Sequence, residues 1–191
     1  VNMKVRNILK LAAGITGKND AEEFLEKGSA PDCETARMDA ERLLKAYNLL
    51  NAELAGEYEK LYVKENLEAA DGASLSGFKE YPFEIVSVET DDGFPMKYDV
   101  KDGKLVTGKK CPAIVCYRYI PKERGFDDEV DYGELSRISP RTLALGTARE
   151  FLFDGGAYSA AAEVDEKFKK ALNACLKPRG RKIIPQRSWF L

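Results

Sequence analysis

Ser139-Pro-Arg-Thr-Leu-Ala-Leu-Gly-Thr-Ala-Arg-Glu-Phe-Leu-Phe153, Asp154-Gly-Gly156 and Ala157-Tyr-Ser-Ala-Ala-Ala-Glu-Val-Asp-Glu-Lys-Phe-Lys-Lys-Ala-Leu-Asn-Ala-Cys-Leu176 decide the fold. Ser139 is a natural helix N-cap and Pro140 a natural first helical residue, because proline lacks only an N–H that the first turn leaves unpaired anyway. The spacing predicts a helix to Phe153, a turn at Asp154-Gly155-Gly156 and a second helix over about 157–176. Leu143, Ala144, Ala148, Phe151 and Leu152 form an inward stripe on the first helix. Ala161, Val164, Phe168, Leu172 and Cys175 do so on the second. Small residues at Gly146, Ala148, Ala157, Ala160, Ala161 and Ala162 allow the two axes to approach closely, as an αα-hairpin requires.

The hairpin needs a third apolar surface, and the N-terminal third supplies one. Val5, Ile8, Leu9, Leu11 and Ala12 mark a short amphipathic helix that stops at Gly14 or Gly17. Asn19 and Glu22 have capping-box spacing for another helix through Leu25. After Gly28-Ser-Ala-Pro31, apolar residues at Leu43, Tyr47, Leu50, Leu54, Tyr58 and Leu61 recur in steps of three and four, predicting the longest helix.

From about Ala70 the texture changes. Asp71-Gly72, Asp92-Gly93, Asp102-Gly103 and Gly108 punctuate short runs of Val, Ile, Phe and Tyr. Tyr81–Thr90 reads as a strand. Met96–Val100 and Lys104–Thr107 read as a hairpin around Lys101-Asp102-Gly103. Ala113–Ile120 is the best strand, with Ile114, Cys116 and Arg118 on one face and Val115, Tyr117 and Tyr119 on the other. Residues 121–137 form a polar connector. The expected fold class is α+β: a helical bundle, made of the long N-terminal helix and the C-terminal hairpin, with an inserted antiparallel sheet of three to five strands. Residues 1–69 are assigned to N-terminal helices, 70–137 to the β insertion and connector, 138–176 to the hairpin and 177–191 to an extended basic arm.

Composition narrows the chemistry. The 191 residues carry a net charge of −2 and contain no histidine, which removes the commonest general base and the favoured imidazole metal ligand. Cys33, Cys111, Cys116 and Cys175 lack metal-site or redox spacing and are expected to be buried reduced thiols. Asp127, Asp128, Glu129 and Asp131 could attract a hard cation, but the loop lacks the glycine and glutamate of a calcium-binding hand and reads as solvated. Ser76 and Lys79 fit a Ser-x-x-Lys pattern without partners. Neither phosphate-cradling glycine motif occurs. No catalytic, cofactor or metal site is assigned, and the protein is expected not to be an enzyme. No apolar run of secretory or membrane-spanning length is present, so a soluble product of a reducing cytosol is expected.

The segment Lys177-Pro-Arg-Gly-Arg-Lys-Ile-Ile-Pro-Gln-Arg-Ser-Trp-Phe-Leu191 stands out. Lys177, Arg179, Arg181, Lys182 and Arg187 meet no acid there, while Pro178 and Pro185 keep the backbone from helix. Three uses are open. Arg179, Arg181, Lys182, Arg187, Trp189 and Phe190 suit an arm that docks on a partner, since Arg and Trp dominate interface hot spots. Ile183, Ile184, Trp189 and Phe190 could instead pack on this chain's own core. The cations could also contact nucleic acid weakly and in a salt-sensitive way.

The chain resembles the head–tail adaptor proteins of tailed bacteriophages, the neck-ring connectors of the tail tubular A type. The likeness runs through the helical N-terminal third to about Tyr62 and the strand block Phe83–Val88 through Ile114–Pro121. It continues in Leu143–Leu152, Gly156–Glu163 and Phe168–Leu172, and in the ending Arg187-Ser-Trp-Phe190. The resemblance implies a structural protein of the virion neck, made in the host bacterial cytoplasm. It implies a homo-oligomeric ring, twelve-fold in that family, below the portal protein and in contact with other neck or tail proteins. DNA would pass through the lumen without specific binding, and no membrane would be involved. The docking role falls on the arm residues named above. The alternative expectation is a small nucleic-acid-binding or packaging accessory protein using the same basic segment. A metal-assisted hydrolase using the acidic loop is a more distant rival.

Overall fold

A computed structural model describes residues 3–27, 34–132 and 137–176. Among these, the helices are α1 (Val5–Thr16), α2 (Asn19–Lys27), α3 (Glu34–Glu53), α4 (Pro140–Asp154) and α5 (Tyr158–Leu176). The strands are β1 (Leu61–Leu67), β2 (Pro82–Thr90), β3 (Asp99–Lys101), β4 (Lys104–Val106) and β5 (Ala113–Tyr119). The chain is therefore mixed α+β, with helices flanking a small antiparallel sheet.

The helix α4 begins where its sequence says it should, with the Ser139 hydroxyl accepting from the Thr142 N–H at 3.2 Å. Helices α1, α3 and α5 all pack against it. Every residue from Thr142 to Arg149 is buried, so the expected one-sided stripe is a correction: with neighbours around it, α4 buries its whole circumference over these two turns. Leu152, placed in the stripe by periodicity, is only half-buried. Gly146 is the tightest point. A Cβ there would lie 2.6 Å from both Leu50 methyls on α3 and 2.9 Å from the Phe168 ring on α5. Glycine is thus required by close approach between three helices.

One charged residue shares this interior. The Arg149 guanidinium donates to Glu53 at 2.6 Å and also to Glu150, lies 3.6 Å from an Asp165 oxygen, and stacks 4.8 Å from the Phe168 ring centroid. Carboxylates from α3, α4 and α5 surround it, which is the condition under which a buried charge is tolerated.

The long helix ends earlier than its stripe predicts. Leu43, Tyr47, Leu50 and Leu54 are fully buried as expected, but Tyr58 is exposed and Leu61 opens β1. Residues Leu54–Tyr58 form a widened π turn containing Gly56, after which Glu59 is extended. Glycine lowers the cost of leaving the helix, and the freed carbonyls find a partner in the sheet. A strand therefore falls inside the region assigned to N-terminal helices. The capping box at Asn19 is also corrected: Asn19 is the first helical residue, and the Glu22 N–H bonds the Lys18 carbonyl at 3.0 Å.

The three-stranded sheet has the order β1-β5-β2, all antiparallel, and β3 pairs with β4 separately. Asp102 and Gly103 both have positive φ (50° and 69°), which suits the tight hairpin expected there. Val115 and Tyr117 face a second apolar core with Val88, Leu105, Leu75 and Phe78. The alternation read from the sequence holds: Ile114, Cys116 and Arg118 lie on the opposite face.

Gly146→Ala is expected to destabilise the protein by about 1–3 kcal/mol, the usual cost of forcing a methyl into a filled core. Urea unfolding measures it; an unchanged midpoint would show that Leu50 and Phe168 yield without cost.

Candidate docking surface

The arm residues Arg179, Arg181, Lys182, Arg187, Trp189 and Phe190 lie outside the described residues, as does Cys33. What the structure gives is the platform they leave from. Helix α5 runs antiparallel to α4, and the Cys175 sulfur lies 3.6 Å from the Thr142 hydroxyl. The end of α5 is thus level with the start of α4. Just before α4, the Arg137 N–H donates to Glu59 at 3.3 Å, and Glu59 precedes β1 by two positions. Helix α5 thus ends beside the start of α4, with Leu176 packed against the helical core.

The root of the sheet is held by Arg118, which is 7% exposed although it sits on the central strand's outer face. Its Nη2 donates to the carbonyl of Ala55 at 3.0 Å and to that of Gly56. These are carbonyls of the π turn that ends the α3 helical run, where backbone acceptors lose their intrahelical partners and positive charge is favoured. Nη1 lies 3.7 Å from Glu84, and the guanidinium stacks on Phe83 at 5.1 Å.

Beyond Arg118 the outer face is open. The pairing of β2 with β5 shifts register between Pro82 and Glu84 and again between Ile85 and Ser87. Each bulge inserts one extra residue, Phe83 and Val86. Ile85 and Val88 stay packed on the inner core, so the bulges keep the inner register while adding side chains to the exposed part of the strand. Phe83 is 59% exposed, Val86 48%, and Tyr62 on β1 53%. Ile114 and Cys116 between them are half-buried. From Glu80 to Met96 the chain carries Glu80, Glu84, Glu89, Asp91 and Asp92 with no Lys or Arg.

The acidic connector is engaged elsewhere. Asp127 takes hydrogen bonds from Arg6 at 3.1–3.2 Å, and Asp131 accepts from Asn51 at 2.8 Å and from Arg124 at 3.0 Å. The carbonyls of Asp128 and Phe126 accept from the Val5 and Arg6 N–H groups at 2.9 Å. These are first-turn donors of α1, whose Lys4 cap position supplies no side-chain acceptor; the connector caps the helix with backbone instead. The loop is solvated as expected at Asp127, Asp128 and Glu129, while Asp131 is turned inward and the backbone straps α1. Among the described residues no group of three or more His, Cys, Asp or Glu is placed to hold a metal ion. Ser76 meets Ser74 at 2.8 Å. Cys111, Cys116 and Cys175 are free and half-buried rather than fully buried. No helix among the described residues is long and apolar enough to cross a membrane.

Sequence reasoning missed this sheet face. The signal was there in the two extra residues of β2, but a bulge is invisible until the partner strand's register is known. No protein-family model matches the chain, and no curated protein sequence matches it.

Two predictions follow from the polar anchors. Arg118→Leu leaves the Ala55 and Gly56 carbonyls without their charged donor and is expected to cost about 2–3 kcal/mol. Amide exchange should show the loss first in residues 54–62; uniform protection across the chain would refute the anchoring role. The second concerns alkali. Burial raises the Tyr117 phenol to about 12; burial raises Tyr47 too, helped by the Asp131 charge, and Tyr132, helped by the charges of Glu59 and Asp131. Unfolded tyrosines titrate near 10, so the unfolded chain loses these protons first. The stability they confer is complete below about pH 10 and is lost as pH rises toward the folded values. Thermal midpoints should fall across that range. The fall should be smaller in Tyr132→Phe, whose hydroxyl has no hydrogen-bond partner; identical alkaline profiles would contradict the assignment.

Proposed function

We propose that this protein is a structural, non-enzymatic head–tail adaptor of a tailed phage. It would form a ring below the portal through which DNA passes, with residues 177–191 docking on the portal or a neighbouring subunit. The carrying observation is the departure point of that segment. It leaves the last turn of a helix whose hairpin partner is gripped on several sides by α1, α3 and α5. A cationic arm with an aromatic end gains most when it starts from a rigid base, because the base spends no conformational entropy at docking.

In this reading the helices form a bundle of α1, α3, α4 and α5 that serves as the ring wall. The packing of α1, α3 and α5 on α4 supports it. The sheet would make lateral or axial contacts. Ring contacts are head-to-tail and close by rotation, so two different faces of each subunit must match; an open sheet face and a charged arm are two such unlike surfaces. The net charge of −2 suits a channel that lets DNA slide. The virion neck is the corresponding location, with other neck or tail proteins as further partners.

The test is electron microscopy of the protein mixed with the portal of the same phage, using the full chain and a truncation after Leu176. A ring at the portal's narrow end with the full chain, and its loss in the truncation, is the expected result. Absence of any association with the full chain sinks the proposal. Salt-sensitive binding to duplex DNA that disappears on truncation, while the oligomer persists, would favour a nucleic-acid accessory protein instead.

A further inference from the structure

Phe94 is the most exposed large apolar side chain among the described residues, at 68%, yet the turn that carries it is firmly held. The Gly93 N–H donates to the Thr90 carbonyl at 2.8 Å, and the Thr90 N–H to the Phe94 carbonyl at 2.9 Å. The Phe94 N–H donates to the Thr90 hydroxyl at 3.2 Å. Asp91 and Asp92 precede Phe94 on the same turn, exposed and in no ion pair among the described residues. Lys97 is the first cation beyond it.

The opposite chemistry lies among the helices. A groove of about 430 Å³ is enclosed by α1, α4 and α5, with Leu145, Leu152 and Val164 as its floor and Ile15 as one wall. Arg141 and Lys167 line it as well, both exposed and neither ion-paired among the described residues. Glu166, beside Lys167, is paired with Lys170 at 2.6 Å. Glu163 is the groove's single acid, so two cations against it leave the rim positive. The α4 part, Arg141 to Leu152, is about 16 Å long, room for an aromatic ring with carboxylates beside it.

The turn stands far from this groove in its own chain. Thr90 and Leu67 pair with Ala113 at one end of the sheet, while Leu61 and Pro82 pair with Tyr119 at the other. The Leu61 end packs on the helical core. Phe94 therefore lies beyond the far end of a strand about 23 Å long, and turn and groove are open to different molecules at once.

We propose that the Phe94 turn of one protomer seats in the α1–α4–α5 groove of a second copy. The phenyl ring packs on Leu145, Leu152 and Val164, and Asp91 and Asp92 face Arg141 and Lys167. Each protomer then gives one turn and receives another, so copies join head to tail and either close or continue according to the rotation per step. A side chain fixed before docking loses little conformational entropy on binding, and aromatic residues are enriched at interface centres. The contact deepens the ring reading by naming how subunits meet, but it concerns this protein alone. Self-association without a portal tests it, so its failure leaves the portal experiment standing.

Sedimentation equilibrium of the full chain is compared with two variants. One loses the turn's chemistry (Phe94→Ser with Asp92→Lys), and the other reverses the groove's charge (Arg141→Glu with Lys167→Glu). Wild type is expected to gain mass with concentration, and each variant alone to stay monomeric at the wild-type thermal midpoint. Their equimolar mixture is expected to form a one-to-one dimer, because one variant keeps its groove and the other its turn. A wild type that is monomeric at millimolar concentration overturns the proposal, as does association that survives in either variant. A mixture that stays monomeric also overturns it, since a head-to-tail contact must be restored by the two intact halves. Should a variant not fold, Asp91→Lys with Asp92→Lys serves for the turn. Ala160→Arg, which fills the groove from an exposed position of α5, serves for the groove.

Discussion

Gly146 is the point on which the helical part turns. Three helices meet there, with Leu50 from α3 and Phe168 from α5 closing over a backbone that has no Cβ to offer. That approach draws both helices onto α4, and α1 covers what remains. A helix enclosed in this way cannot rely on a polar face for solubility, so its only buried charge, Arg149, must bring counter-ions from its neighbours. Glu53 and Asp165 do this from α3 and α5. The glycine and the arginine are complementary solutions: one lets the helices come close, and the other fixes which faces meet.

The second constraint joins the helices to the sheet. A helix that ends inside a protein leaves carbonyls without donors, and α3 hands two of those that follow it to Arg118. The guanidinium is rigid and planar, and can serve two acceptors while stacking on Phe83. Its burial ties the π turn to the middle of the central strand. Sheet and helices are thus coupled through a charged group as well as through Leu61 at the start of β1, which packs on the helical core; the two buried clusters are otherwise separate. Arg124, between Glu80 ahead of β2 and Asp131, which Asn51 of α3 also holds, adds a second polar tie across the same junction.

Much of this was legible in the sequence, for reasons that differ by element. The hairpin of α4 and α5 announced itself through Ser139, Pro140 and Gly155-Gly156, because caps and turns are local chemistry. The β3–β4 turn was equally plain, since Asp102-Gly103 needs positive φ at both positions. The end of α3 was not. Leu61 keeps helical spacing with Leu54 and Tyr58, and nothing local says that Arg118, more than fifty residues on, will take the carbonyls at 55 and 56. The acidic connector was only partly legible: Asp127, Asp128 and Glu129 are solvated as expected, but nothing local says that Asp131 will be drawn in by Asn51 and Arg124. The arm residues were visible as a charge run, but the outer face of β2 depends on two bulges that no single-strand pattern contains.

The sheet's inner and outer faces show how one strand serves two demands. Ile85 and Val88 must remain on the inner core, and a strand with strict period two would place only alternate residues outside. By bulging twice, β2 keeps both buried positions and adds Phe83 and Val86 to its exposed surface. Phe83 has a use there: it lies over the buried Arg118 guanidinium that ties the π turn to the central strand. One bulge thus serves the junction of helices and sheet, while the other keeps Val88 on the inner core and leaves Val86 exposed.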